Sequence, residues 1–235
     1  MQIRLFISSP KIKISDIINL DKKQTHYLLK VMRQKIGAEI NVFNAKDGEF
    51  RAEIIEAGKL AKLKIIEKIK DLRLQKNIEL VFCPVKNVKT EYLVTKATEL
   101  GVRSIQPIIS ERTIVNKINL EKLNLNMIEA LEQSERNDFV EIKEIKTLKR
   151  FMSDTDQGEQ VIFCDERGKG KKARELKLDG NEIIKIIIGP EGGFTEKENK
   201  DFEKLNNCQF LSLGDIILRA DTAIISALAI ISDNL

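Results

Sequence analysis

The run Ile183-Ile184-Lys185-Ile186-Ile187-Ile188 constrains this chain more than any other stretch. β-branched side chains in near-unbroken succession suit a central strand of a parallel sheet, covered on both faces. The strand ends in Gly189-Pro190-Glu191-Gly192-Gly193-Phe194, and Thr195 with Glu198 then forms a Thr-x-x-Glu capping box for a helix. A second unit repeats the plan. Residues 208–213 read as a short strand, Gly214 breaks it, and Arg219-Ala220-Asp221-Thr222-Ala223 leads into residues 224–231, apolar nearly all the way round. A helix of that kind is buried, between the sheet and a partner surface. The expectation is two glycine turns on adjacent strands, both at the carboxyl edge of the sheet, where open α/β folds bind their ligands.

The turns contain neither Gly-x-x-x-x-Gly-Lys-Ser/Thr nor Gly-x-Gly-x-x-Gly, so the nucleotide-phosphate cradle and the dinucleotide fingerprint are both missing. Glu191 stands where a phosphate would approach the helix start, and its charge would repel it. A lone Gly-Gly often marks only a tight turn with positive φ. Two linked turns, with Arg219 and Asp221 beside the second, argue for a binding site instead.

Ile-Gly-Pro-Glu-Gly-Gly-Phe-Thr at 188–195, Leu-Ser-Leu-Gly at 211–214 and Ile-Leu-Arg-Ala-Asp-Thr-Ala at 217–223 resemble the signature of the ribosomal small subunit RNA methyltransferase E family. The resemblance implies an α/β trefoil-knot domain of the SPOUT class with a parallel sheet. It implies S-adenosyl-L-methionine as cofactor, N3 of a uridine in 16S rRNA of the small ribosomal subunit as acceptor, and no metal. It also implies a homodimer with RNA bound across both subunits, residues 223–231 being the interface candidate. In its terms Ile188, Gly189, Pro190, Glu191, Gly192, Leu213, Gly214, Ile217 and Leu218 hold the cofactor by close backbone approach. Arg219 is the candidate cation for the uridine anion, Asp221 the proton acceptor or an orienter of Arg219, and Thr222 a donor to a carbonyl. The family reads Gly-Pro-Arg-Ile-Leu-Arg-Thr-Glu-Thr-Ala where this chain has Gly214-Asp215-Ile216-Ile217-Leu218-Arg219-Ala220-Asp221-Thr222-Ala223. Ile216 thus replaces an arginine and Asp221 shortens a glutamate, which alters the charge on the substrate side. Two other readings stay open: methylation of another RNA position such as a ribose 2′-hydroxyl, and a ribosome-binding relative without catalysis, against which the intact Gly-Pro-Glu-Gly-Gly speaks.

Composition bounds these readings. The 235 residues are 42% hydrophobic and 32% charged, ordinary globular usage with ample core. No run approaches the ~18 apolar residues of a membrane span and the first ten residues do not form a signal peptide, so a cytoplasmic protein is expected. Cys83, Cys164 and Cys208 are odd in number and far apart, which argues against disulfides. With His26 the only histidine, a zinc cluster is improbable and a Ser-His-Asp hydrolase equally hard to build. The net charge of +4 is compatible with RNA.

Periodicity divides the chain into a β-rich part at 1–70, a polar linker at 71–76 and an α/β part at 77–235. In the first part, residues 3–7, 39–43, 50–57 and 61–69 read as strands and 20–34 as a helix, suggesting a small β-barrel. Lys22, His26, Lys30 and Arg33 fall at intervals of four, four and three on that helix, a face that either meets RNA phosphates or is simply solvated. His26 through Arg33, then Gly37, Ile40, Phe43 and Gly48, resemble the PUA-like RNA-binding domain of the same family. In the second part, 78–85, 104–109 and 161–164 read as strands and 90–100 and 120–136 as helices, an alternation that indicates a parallel sheet. Residues 165–172, rich in glycine and lysine, read as a loop that either lies near a ligand or is plain linker. Lys96-Ala97-Thr98-Glu99-Leu100-Gly101-Val102, Ser110-Glu111-Arg112 and residues 129–136 also resemble the family. Arg112, Gln133 and Arg136 either converge on RNA or belong to an Arg-Glu network that holds helices together.

Overall fold

The computed structural model describes residues 2–235. They group into two compact units, 1–74 with 131–139, and 75–130 with 140–235.

The N-terminal unit is built on strands β1 (Arg4–Phe6), β2 (Ile17–Asn19), β3 (Glu39–Asn44), β4 (Gly48–Ala57) and β5 (Ala61–Lys70), in the order β1-β3-β4-β5-β2. They form a half-barrel with β1 and β2 as its edges. Alternation along β4 and β5 turns Phe50, Ala52, Ile54, Leu63 and Ile65 inward, against Leu5, Leu20, Leu28, Ile40 and Val42. Register shifts at Glu49/Phe50, Arg51/Ala52 and Ile54/Glu56 supply the curvature. Helix α1 (Lys22–His26) starts from an Asp21–Gln24 capping box. The continuous α-helix expected to residue 34 is interrupted. A π-turn over Tyr27–Val31 follows, closed by the amide of Met32 donating to the Tyr27 carbonyl at 2.9 Å, and Arg33 lies beyond it with φ +53. The wider turn carries Lys30 and Arg33 out of the register that α-helical spacing assigned them, while fully buried Leu28 anchors the segment. Lys22, His26, Lys30 and Arg33 are nonetheless all exposed.

The second unit is organised around the isoleucine run. Its strands are β6 (Ile78–Phe82), β7 (Ser104–Ile109), β8 (Glu141–Ile142), β9 (Lys146–Thr147), β10 (Gln160–Cys164), β11 (Ile184–Ile188) and β12 (Cys208–Leu211). Every pairing among them is parallel, in the order β12-β10-β11-β6-β7-β8 with β9 beside β7. β11 lies between β10 and β6 and is buried along its whole length, as the β-branched run requires. Lys185 is tolerated in this interior because its Nζ lies 2.6 Å from Glu159 and 5.2 Å over the Phe151 ring. One expectation is corrected here: the strands that precede the two glycine turns are not neighbours. β10 intervenes, pairing with β11 on one side and β12 on the other. Because all three run the same way, both turns still emerge at one edge.

Helices α2 (Thr90–Glu99), α3 (Leu120–Gln133), α4 (Leu148–Asp154), α5 (Glu196–Glu203) and α6 (Ala220–Asp233) complete the chain. The capping box of α5 forms as read, the Glu198 amide donating to Thr195 and the Thr195 amide to the Glu198 carboxylate at 2.8 Å. Helix α6 packs on α2, β6 and β11 through Ile224, Ala227, Leu228 and Ile231, but Thr222, Ala229 and Ile230 face outward. To reach that position from β12 the chain passes the 165–172 loop in close contact. Gly170 lies so near the main chain of Leu211 and Ser212 that any Cβ would collide with it. Lys171 bridges to Leu211 in parallel at this point, and the closeness of the two main chains admits only glycine at 170. No helix among the described residues is long and apolar enough to cross a membrane.

Candidate active site

The carboxyl edge of the parallel sheet opens into a cavity of about 610 Å³, within the range of small-molecule sites. The turn after β11, the loop after β10, the stretch from β12 to α6 and the segment after β6 wall it, with Asn199 of α5. Phe163 holds the first two together, its ring centroid 5.3 Å from Phe194, 4.6 Å from Phe202 and 5.3 Å from Phe210. Phe194 in turn lies on Gly189, where an added Cβ would come within 2.9 Å of the ring. The glycine turn is therefore set by aromatic packing beneath it, each such pair contributing ~0.5–1.5 kcal/mol beyond burial.

The loop after β10 is tied down along β12. The amide of Asp165 donates to the Leu211 carbonyl at 2.9 Å, Lys171 to Phe210 at 2.8 Å and Ser212 to Lys171 at 2.9 Å. Of the two readings left open for 165–172, the ligand-side one matches this placement, since Asp165, Glu166, Arg167 and Gly168 line the cavity.

Among the residues expected to hold a cofactor, Ile188, Gly189, Pro190, Glu191, Leu213, Gly214, Ile217 and Leu218 line the cavity. Gly192 does not; it turns toward Arg112, whose Nη1 donates to the Gly192 carbonyl at 2.8 Å. Sequence reasoning missed Val85, Val88, Phe163 and Asn199, which also line it, and reached Glu166 only as part of the 165–172 loop. No motif marks them, because elements distant in sequence bring them to this edge.

The lining fits the S-adenosylmethionine that the resemblance implies. The main-chain groups of Leu213 and of residues 215–218 make no hydrogen bond with another described residue, leaving donors and acceptors for a base and a ribose. Leu213, Ile217, Leu218, Val85 and Val88 supply apolar wall. Asp165, Glu166, Glu191 and Asp215 stand against Arg167 and Arg219, so the wall has a carboxylate excess that suits a sulfonium cation and repels phosphate.

Arg219, at the N-cap of α6, lines the cavity with its side chain 68% exposed and its Nε 3.6 Å from Asp221 Oδ1. That oxygen is buried and has no hydrogen bond. Asp221 lies in the first turn of α6, where the helix dipole favours a negative charge. Asp221 itself is set behind the cavity wall, and Thr222 faces solvent on the same turn, so Arg219 alone of the three lines the cavity. Burial pushes the Cys164 thiol at the cavity wall well up, and that of Cys208 to about 12, so both stay protonated near neutrality.

The remaining expected RNA contacts divide. Arg112 is exposed beside the Gly192 turn and Gln133 is exposed at the end of α3. Arg136 is different. It lies past the end of α3, is 1% exposed, and its guanidinium pairs with Asp138 at 2.5 Å, so it fits the alternative of an ion-pair network and not an RNA contact. Among the described residues no group of three His, Cys, Asp or Glu side chains is placed to hold a metal ion.

Comparison with known proteins agrees in both units. Residues 72–232 match the family described as an RNA methyltransferase domain, and 20–67 the RNA methyltransferase PUA domain. The chain is 32% identical over 229 residues to ribosomal RNA small subunit methyltransferase E of Rickettsia conorii, covering 96% of this chain and 93% of that relative. It superposes on the crystal structure of a ribosomal RNA small subunit methyltransferase E of Neisseria gonorrhoeae bound to S-adenosylmethionine with TM-score 0.89 and 26% identity, covering 100% of this chain and 98% of that one. A methyltransferase of Legionella pneumophila, solved in complex with the same cofactor, gives TM-score 0.88 and 27% identity over 100% of this chain and 98% of that one.

Proposed function

This chain belongs to the ribosomal RNA small subunit methyltransferase E family of RNA methyltransferases, and on that premise we propose that it methylates N3 of a uridine in 16S rRNA, using S-adenosylmethionine, in the cytoplasm. One observation carries the reading. The bond-free main chain of 215–218 and the exposed guanidinium of Arg219 stand in succession on one wall, so a cofactor site and an anion-stabilising cation are contiguous.

Bound S-adenosylmethionine supplies an electrophilic methyl group. The chain's own residues supply positioning and charge. Neutral uridine carries a proton on N3 and is a poor nucleophile there. A site that activates it must take that proton and hold the negative charge that spreads to the two flanking carbonyl oxygens. Arg219 is the cation for that charge. Asp221, with an unbonded oxygen beside Arg219, accepts the proton or orients the guanidinium, and Thr222, exposed on the same turn and outside the cavity lining, donates to a carbonyl of a base that reaches over the start of α6. The protonated Cys164 offers no thiolate for a covalent route through a base carbon.

Calorimetry on the purified protein with chelator present should detect S-adenosylmethionine binding. Absence of heat at millimolar cofactor, or strict dependence on an added metal, would reject the reading. Methyl mapping of small subunits treated with the enzyme then separates N3 from a 2′-hydroxyl. We further propose a homodimer that covers the outward face of α6 with Ile230; a monomeric sedimentation coefficient at assay concentration would contradict it.

For RNA, the exposed Lys22, His26, Lys30 and Arg33 of the N-terminal unit, with Arg112 and Gln133, are the proposed contacts. Changing Lys22, Lys30 and Arg33 together to alanine should weaken RNA binding and lower the salt slope by about 0.7–0.9 for each phosphate left without its cation, leaving cofactor affinity unchanged. An unaltered slope would make this a solvated face only.

A further inference from the structure

Glu166 has no role in the chemistry just described, yet it lines the cavity wall. It lies over Gly193, where an added Cβ would run into Oε1 and come within 3.3 Å of Cδ. Gly193 has φ +66, so the turn both requires glycine and uses the open side of that glycine to seat the carboxylate. No other described residue donates a hydrogen bond to Glu166 or forms an ion pair with it.

Its neighbours fix the loop that presents it. Asp165, with its side chain 1% exposed, accepts from Arg167 Nε at 2.5 Å and from the Lys169 amide at 2.8 Å. Arg167 continues to Glu203 at 3.3 Å and lies 5.9 Å from the Phe210 ring centroid. Those two charges are matched by each other. Glu191, another carboxylate of the wall, accepts from Asn87 at 3.1 Å, and Asp215 stands on the exposed loop after β12. Glu166 is thus an exposed carboxylate lying over Gly193, without a cation, at the wall of a cavity read as the site of a cationic ligand.

Resting on that reading, we propose that Glu166 is a specificity residue that binds the α-ammonium group in the amino-acid part of S-adenosylmethionine. The ammonium is the one part of that ligand with both a full positive charge and N–H donors. The sulfonium has charge but no donor, and the ribose has donors but no charge. The carboxylate accepts from the ammonium and gains the countercharge that the protein withholds.

Calorimetry on the full chain, wild type against Glu166→Gln, tests this with S-adenosylmethionine, S-adenosylhomocysteine and 5′-methylthioadenosine. The first two carry the ammonium and the third lacks it. The glutamine variant should weaken the first two by about tenfold or more, the size of one charge-assisted hydrogen bond, and leave methylthioadenosine within about twofold. Glu166→Ala should repeat the pattern. Equal weakening of all three would place the contact on the ribose or in the loop's structure, loss confined to S-adenosylmethionine would place it at the sulfonium, and unchanged binding would remove Glu166 from recognition; each overturns the proposal. Wild-type protein that binds none of the three rejects the reading of the cavity itself.

Discussion

Arg219→Ala should lower the single-turnover rate of methyl transfer to small ribosomal subunits by about a hundredfold or more, while cofactor affinity changes far less. The guanidinium is 68% exposed at the cavity wall, so its removal opens no cavity in the core, and Asp221, which loses its nearest cation, keeps the favourable N-terminal end of α6. What is lost is the donor for an anion that exists only as N3 gives up its proton. Asp221→Asn separates two roles for its neighbour. If Asp221 accepts the proton, the defect of the asparagine variant shrinks as pH rises and N3 ionises unaided. If it only orients Arg219 across the 3.6 Å that separates them, the defect is flat with pH. Following both variants across pH with saturating cofactor decides between these. A wild-type rate in the arginine variant would take Arg219 out of the mechanism and bring Arg112 forward, since its guanidinium is bonded to the glycine turn after β11.

The second large effect is on stability and lies in the N-terminal unit. Glu49 is fully buried and accepts from Arg4 Nε at 3.0 Å, Arg4 Nη2 at 2.9 Å and Asn41 at 2.9 Å. Arg4 also donates to the carbonyls of Leu131, Glu132 and Arg136 and lies 4.5 Å over the Phe43 ring. This one guanidinium therefore binds residues 131–139 to the half-barrel and satisfies the carbonyls exposed where α3 ends. Glu49→Ala strands the Arg4 charge in the interior and should destabilise the unit by about 3–5 kcal/mol, read as a fall in the urea midpoint of its transition. Pairing it with Arg4→Met should restore part of that loss, because no buried charge then remains unmatched. A single-variant loss below ~1 kcal/mol would mean that water reaches Arg4 and that the pair is not the tie described.

Local sequence was enough for the parts of this protein that depend on short-range chemistry. Five isoleucines among six consecutive residues suit a strand covered on both faces, and β11 is one. Thr195 and Glu198 form a capping box wherever a helix starts, and alternation along 50–57 and 61–65 selects the inward face of β4 and β5 whatever lies opposite. The two glycine turns and Arg219 were legible for the same reason, since backbone freedom and a fixed charge are properties of the residues themselves.

Tertiary structure decided what depends on neighbours far away in the chain. The insertion of β10 between β11 and β12 follows from pairings across tens of residues that leave no periodic signature, and it is why Asp165 and Glu166 reach the cavity. The helix that starts at Lys22 gives way to a π-turn in which Leu28 is buried in the half-barrel, and Lys30 and Arg33 leave the α-helical register with Lys22 and His26. Arg136 looked identical to a surface arginine until Asp138 and the Arg4 network enclosed it. Gly170 shows the limit most plainly: in sequence it is one glycine of a polar loop, and only the passage of residues 211–212 against it reveals that no other side chain fits. Periodicity reports which face of an element is buried, but not what buries it, and here that second fact shapes the site.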